Sequence, residues 1–218
     1  MDWIRNFDLF LFDFDGLLVD TETLHFQAYV NMLAKRGLRL DWGFSKFCST
    51  AHLNANALRE ALYAEFPNLD PDWKSLYEEK KACYLDLLLA GKVRLMKGVE
   101  PLLKELEKKK VRRACVTNSL LEQTKLIRSQ IPALETIPLW ITREDYEKPK
   151  PSPECYLKAI ELVGNKGDRI IGFEDSARGI EALKGTPALP ILICQGDHPL
   201  LEAIGGAAHY ESIDQVFQ

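Results

Sequence analysis

The sequence predicts an α/β fold in which a mostly parallel sheet carries an all-helical segment inserted after its first strand. Three observations lead there. Short apolar runs alternate with amphipathic stretches over the second half of the chain, the pattern of repeated βαβ units. Residues 7–14, Phe-Asp-Leu-Phe-Leu-Phe-Asp-Phe, form a nearly continuous apolar run of the kind a strand covered on both faces needs. The stretch from about 21 to 95 has no convincing strand and reads as helix throughout.

Taken in order, the first strand is interrupted by Asp13 and closed by Asp15-Gly16. Later strands are expected at 113–117, 170–173 and 190–194, with a weaker candidate at 138–142. Helical patterns at about 119–130, 153–163 and 176–184 separate them. In the insertion, the clearest helix has Asp70 as N-cap, Pro71 at its first position and Gly91 past its last turn. Trp73, Leu76, Tyr77, Cys83, Tyr84, Leu87 and Leu88 recur on one face of it. Residues 1–20 and 96–218 are therefore read as a core domain and 21–95 as a separate helical domain.

Composition narrows the class of protein. The chain has 218 residues, 46% hydrophobic and 28% charged, with a formal net charge of -4, which fits an ordinary globular protein. The weak acidity argues against a nucleic-acid or membrane-surface partner. The one dense basic run, Lys108-Lys109-Lys110-Val111-Arg112-Arg113, reads as a solvated helix end. Five scattered cysteines in no C-x-x-C pair suggest a reducing compartment. No signal peptide or apolar run long enough to span a bilayer is visible, so a cytoplasmic location is expected.

Four short signals fall at or just after the C-terminal ends of expected strands, where open α/β sheets bind ligands. The first is Asp13-Phe14-Asp15-Gly16, in which one carboxylate can attack phosphorus and the other, when protonated, can hand a proton to a leaving oxygen. Gly16 lets the backbone pass close to a phosphate, and Asp20 or Thr21 can cap the next helix. The second is Thr117-Asn118-Ser119, a hydroxyl beside helix-start amides, which together make an anion site. The third is Lys148-Pro149-Lys150-Pro151-Ser152-Pro153, where prolines hold a cation on an extended backbone. The fourth is Glu174-Asp175, two acids suited to a hard divalent cation. Each has a plain structural explanation on its own: strand-end acids capping amides, a helix N-cap, a solvated lysine, an N-cap at Asp175. In this order they supply what a carboxylate needs to attack a phosphomonoester dianion, whose repulsion must be cancelled.

The set Asp13-x-Asp15-Gly16-Leu17-Leu18-x-Asp20-Thr21-Glu22, Thr117-Asn118-Ser119, Lys150-Pro151-x-Pro153-Glu154 and Phe173-Glu174-Asp175-Ser176-x-x-Gly179-Ile180 resembles the haloacid dehalogenase superfamily. More narrowly it is similar to the phosphatase and β-phosphoglucomutase-like branch, and the likeness spans almost the whole chain. That resemblance implies a Rossmann-like parallel-sheet core with an inserted all-helical cap domain. It implies a phosphatase of a small phosphorylated metabolite, a sugar phosphate or phosphoglycolate-like compound. Asp13 would form an aspartyl-phosphate, Asp15 would act as general acid/base, Thr117 and the Asn118 amide would hold phosphoryl oxygens, and Lys150 would offset charge. Mg²⁺ would be held by Asp13, the Asp15 carbonyl and Asp175, with Glu174 bound directly or through water. A site complete in one chain is compatible with a monomer or weak homodimer.

Three departures stand out. The lysine motif is doubled, and Lys150 is preferred over Lys148 because Pro151-x-Pro153-Glu154-x-Tyr156 keeps the family spacing. The segment 185–190 replaces a small-residue turn, and no proline precedes Gly98 where the chain re-enters the core. In the insertion, Lys80 and His25 match cleft-facing residues of the mutases, while a snorkelling lysine and a helix-surface histidine are the alternatives. A mutase also needs a cation for a second phosphate, usually an arginine. Residues 48–56 contain none, and His52 replaces it only in part, which favours a hydrolase over a sugar-phosphate mutase. A receiver-like signalling domain shares the acids, threonine and lysine but lacks a long helical insertion.

Overall fold

The computed structural model describes residues 2–51, 56–194, 205 and 207–216, so His52 lies outside the described residues. The chain divides into two compact units, residues 1–20 with 94–218, and residues 21–93.

The first unit is built on a six-stranded sheet in the order β3-β2-β1-β4-β5-β6. Its strands are β1 (Leu9–Phe12), β2 (Arg112–Val116), β3 (Leu139–Ile141), β4 (Ile170–Glu174), β5 (Leu189–Ile193) and β6 (Ala208–Tyr210). All neighbours pair in parallel. β1 is buried along its whole length because it lies in the middle of a sheet covered on both sides, which is why it reads as an unbroken apolar run. Phe10 and Phe12 stack against Phe173 with ring centroids 6.2 and 5.3 Å apart. On the opposite face, Leu9 and Leu11 join Ala114, Val116, Tyr156, Ile180 and Leu183 in a buried cluster. Helix α5 (Val99–Lys108) buries Val99, Leu102, Leu103 and Leu106. Helix α6 (Leu121–Gln130) follows β2, while α7 (Glu154–Val163) packs on β1, β2 and β3 and α8 (Ala177–Lys184) on β4 and β5. From β1 the chain moves out through β2 to β3, then returns to place β4 on the other side of β1. That reversal makes the β1/β4 edge the switch point of the sheet.

The second unit contains helices α1 (Glu22–Ala34), α2 (Phe44–Ala51), α3 (Ala57–Glu65) and α4 (Trp73–Leu89). α1 and α4 pack side by side, with α2 against both α1 and α3. Rings of Phe26, Tyr29 and Phe47 meet within 5.2–5.8 Å and knit α1 to α2.

Several expectations change. The N-cap of α4 is Asp72, whose carboxylate accepts from the amides of Lys74 and Ser75; Asp70 instead accepts from the Asp72 amide one turn earlier, leaving Pro71 outside the helix. Tyr77, assigned to the apolar face, is exposed. The basic run is not a solvated helix end throughout. Arg113 enters β2 and is 7% exposed, its guanidinium donating to the carbonyls of Val111 and Thr136, while Arg112 pairs with Asp168 at 2.6 Å. β6 was not anticipated, because Ala-His-Tyr is too short and polar to read as a strand away from its partner. None of the five cysteines forms a disulfide, and no helix among the described residues is long and apolar enough to cross a membrane.

Phe12 sits in the central strand with Phe173 stacked on it, so Phe12→Ala is expected to cost about 3–5 kcal/mol of stability. Urea unfolding at unchanged slope checks this; a loss below about 1 kcal/mol contradicts the packing described.

Candidate active site

The parallel register determines which side chains meet. Phe12 lies opposite Cys115 on β2 and Phe173 on β4, so the next residues, Asp13, Val116 and Glu174, emerge side by side at the C-terminal edge. Two carboxylates on neighbouring strand ends repel unless a cation joins them. Lys150, from the proline-rich loop before α7, supplies it. Its ammonium lies within hydrogen-bonding distance of four oxygens, Asp13 Oδ1 at 2.5 Å, Glu174 Oε1 at 2.7 Å, the Val116 carbonyl at 2.8 Å and the Tyr156 hydroxyl at 3.1 Å. Burial works against the charge, yet Asp13 and Glu174 outweigh it and hold the ammonium well above the usual lysine value. Burial and the Glu174 charge push the Asp13 carboxyl up to about 7, against the pull of Lys150. Of the two motif lysines, Lys150 is buried here and Lys148 is exposed.

Gly16 turns the chain after β1 with φ of +77°, a conformation that favours glycine, and its amide donates to the Val19 carbonyl. A Cβ at Gly16 would lie 2.0 Å from Asp175 Oδ2, so the bare backbone leaves room for that carboxylate. Asp15 turns toward β2, where its Oδ2 accepts from the Ser119 hydroxyl at 2.5 Å and the Thr117 hydroxyl at 3.2 Å. Thr117 Oγ1 also accepts from the Ser119 amide at 2.9 Å. Asp13, Glu174 and Asp175 each offer an oxygen, all within 4.8 Å of one another. Three hard carboxylate oxygens at a strand edge fit a hard divalent cation.

The structure thus brings Asp13, Asp15, Gly16, Thr117, Asn118, Lys150, Glu174 and Asp175 to one edge of one unit. It alters one part of the expectation for the helix start. The Leu121 amide is taken by the Glu144 carboxylate at 3.1 and 3.2 Å, and α6 begins at Leu121, two residues after Ser119. Glu144 follows β3, and its approach to α6 is invisible in a linear reading. Also missed is Tyr146, whose hydroxyl lies 2.5 Å from Asn118 Oδ1 and 2.9 Å from the Thr117 carbonyl, its one proton shared between them, bracing that loop. In the linear sequence Ser119 reads only as a helix start and Tyr156 only as part of a spacing.

Lys80 and His25 lie in the second unit. Lys80 is 4% exposed, so it does not snorkel, and its ammonium is 2.6 Å from His25 Nδ1. It sits 5.1–5.8 Å from the ring centres of Tyr29, Tyr77 and Tyr84, and His25 stacks on Tyr84 at 4.2 Å. Burial lowers Lys80 to about 8, while burial and then Lys80 lower His25 to about 4. At neutral pH His25 is therefore the uncharged partner and accepts through Nδ1.

A parallel α/β unit with an acid-lysine-acid triad and a hydroxyl-bearing loop at its switch point defines the class of catalytic domain. Residues 7–185 match the family model described as haloacid dehalogenase-like hydrolase, and the chain belongs to that family. Among its relatives are the protein CbbY of Rhodobacter capsulatus, 26% identical over 80% of this chain and 79% of that protein, and the phosphorylated carbohydrates phosphatase of Thermotoga maritima, 26% identical over the same shares. A solved HAD-family hydrolase from Deinococcus radiodurans, with bound phosphate and sodium, superposes with a TM-score of 0.78 at 22% identity over 96% of this chain and 93% of its own.

A divalent cation at these carboxylates must displace the proton that Asp13 holds below pH about 7. Apparent Mn²⁺ affinity is expected to be level above pH 7 and to fall about tenfold per unit below it. Calorimetric titration from pH 5.5 to 8 checks this; an affinity independent of pH contradicts it.

Proposed function

We propose that this chain is a Mg²⁺-dependent phosphatase of a small phosphorylated metabolite, a sugar phosphate or phosphoglycolate-like compound. The observation that carries the reading is the meeting of Asp13, Asp15, Thr117, Lys150 and Asp175 at one sheet edge. The phosphatase relative in Thermotoga maritima supports the substrate class, and the phosphate held by the Deinococcus radiodurans hydrolase supports the ligand.

In this reading Asp13 attacks phosphorus as the ester bond to the leaving oxygen breaks, giving an aspartyl-phosphate. Asp15 donates the proton that oxygen needs, then takes one from the water that hydrolyses the acyl phosphate. Thr117 and the Asn118 amide receive phosphoryl oxygens, and Tyr146 fixes the Asn118 side chain while they do so. Lys150 keeps Asp13 poised and offsets charge on the phosphoryl group. Asp13, the Asp15 carbonyl and Asp175 would hold Mg²⁺, with Glu174 close by. When bound, the ion neutralises phosphoryl charge that would otherwise repel the attacking carboxylate. In this reading the helical unit, residues 21–93, contributes substrate selectivity, with Lys80 and His25 as its candidate polar residues. Neutral His25 leaves Lys80 as a positive charge at pH 7, suited to an anionic or hydroxyl-rich substrate.

The test is Mg²⁺-dependent phosphate release from sugar phosphates, phosphoglycolate and nucleotides. Wild type is expected to release phosphate from at least one small metabolite, with release falling to background in Asp13→Asn and in chelator. Interconversion of hexose phosphates on adding a bisphosphate, without net release, replaces this reading with a mutase.

A further inference from the structure

The loop that follows β2 is tied to the segment that follows β3. The Thr117 amide donates to the Ile141 carbonyl at 2.9 Å, and the Ser119 carbonyl accepts from the Arg143 amide at 3.1 Å. Thr142 and Asp145 stiffen that segment with a capping box, the Thr142 amide donating to Asp145 Oδ2 at 2.7 Å. These backbone tethers set the course of the loop without help from the side chain at 146. Tyr146 adds a contact of another kind. Its ring is 7% exposed and packs in the cluster with Leu9, Leu11 and Val116. The Arg143 guanidinium lies 5.2 Å from the ring centre and donates to the Tyr146 carbonyl at 2.7 Å. The hydroxyl is thus delivered from a fixed ring.

Burial raises that phenol to about 12, so at neutral pH it keeps its proton. Two acceptors face the proton, Asn118 Oδ1 at 2.5 Å and the Thr117 carbonyl at 2.9 Å, and the shorter contact takes the larger share. The separation also assigns the amide. An O–H···O contact reaches 2.5 Å, whereas N–H···O contacts begin at about 2.7 Å, so the carbonyl end of Asn118 faces the phenol. The other end follows. Asn118 is half-buried, and its NH₂ group has no acceptor among the described residues. A planar amide whose oxygen is held turns two N–H donors to the opposite side. An amide free to turn over would present its oxygen instead, and oxygen lone pairs repel an oxyanion.

We propose that Tyr146 is a positioning residue that makes the Asn118 side chain an oxyanion donor, adding an N–H contact to the phosphoryl group beside the Asn118 backbone amide. The inference rests on the phosphatase reading above. Tyr146 touches no reacting atom; it acts by holding one end of an amide so that the other end meets the anion in the right sense. The hydroxyl alone carries this role, since the ring keeps its packing in Tyr146→Phe and the backbone tethers of the loop stay in place.

A double-mutant cycle tests this, with inorganic phosphate as the probe and its affinity for the full chain in Mg²⁺ read by calorimetry. Tyr146→Phe and Asn118→Ala are each expected to weaken phosphate binding about tenfold, as for one hydrogen bond to a charged group. Because the tyrosine acts through the asparagine, the double variant is expected to bind within about twofold of Asn118→Ala alone. Asn118→Asp keeps an acceptor for the phenol and sets a negative charge where the NH₂ stood. It is expected to weaken phosphate about a hundredfold or more, while melting within about 4 °C of wild type. If the tyrosine serves only the loop backbone through the Thr117 carbonyl, the two losses multiply to about a hundredfold in the double variant. That result overturns the proposal, as does unchanged phosphate affinity in any of the three single variants. Wild type that binds no phosphate, and releases none from the metabolite panel, overturns the phosphatase reading itself and so is told apart from failure of the Tyr146 assignment.

Discussion

A lysine ammonium cannot be taken out of water without partners, and Lys150 is 3% exposed at its side chain. The surroundings follow from that. β1 and β4 must end in register so that Asp13 and Glu174 flank it. The loop before α7 must reach back across β2 to the Val116 carbonyl. A hydroxyl must arrive from α7. Replacing a buried ion cluster with apolar residues often leaves a protein equally or more stable. Its presence here is therefore better explained by chemistry than by stability, since groups with displaced titration in a strand-edge pocket are where catalysis concentrates.

Lys80 solves the same burial problem in the opposite way. Its close partners are a neutral imidazole and three phenol rings. Rings and imidazole attract an ammonium less strongly than two carboxylates do. The two buried amines therefore shift in contrary directions, Lys150 upward and Lys80 down to about 8. One is locked to its counter-charges. The other keeps its charge for something else.

What the sequence made legible were residues that break a pattern. Asp13 and Glu174 end apolar runs that otherwise belong in a sheet interior, and Lys150 stands among prolines. Such residues announce themselves because a buried strand has no cheap use for a charge. What stayed hidden were contacts made across the fold by residues that look ordinary in line. Glu144 caps α6 from the far side of β3, and Tyr146 braces a loop separated from it by 28 residues. Arg113 was misread because helix and strand are joined by a single short turn, so one basic run straddles solvent and core. Asp70 and Asp72 both suit a helix start, and only the backbone angles assign the cap to the second.

β1 lies at the centre of the sheet, yet it is the first strand made. Its partners β2 and β4 begin at Arg112 and Ile170. During translation at about 5–20 residues per second, Leu-Phe-Leu-Phe therefore waits on the order of ten seconds before both of its edges can be covered. The helical unit, residues 21–93, lies between β1 and β2 in the chain and so is synthesised in full before then. The catalytic unit thus matures last, around a sticky strand held in reserve. Residues 9–12 are thus the buried stretch that stays uncovered longest during synthesis, a consequence of the order of the sheet and not of the chemistry it serves.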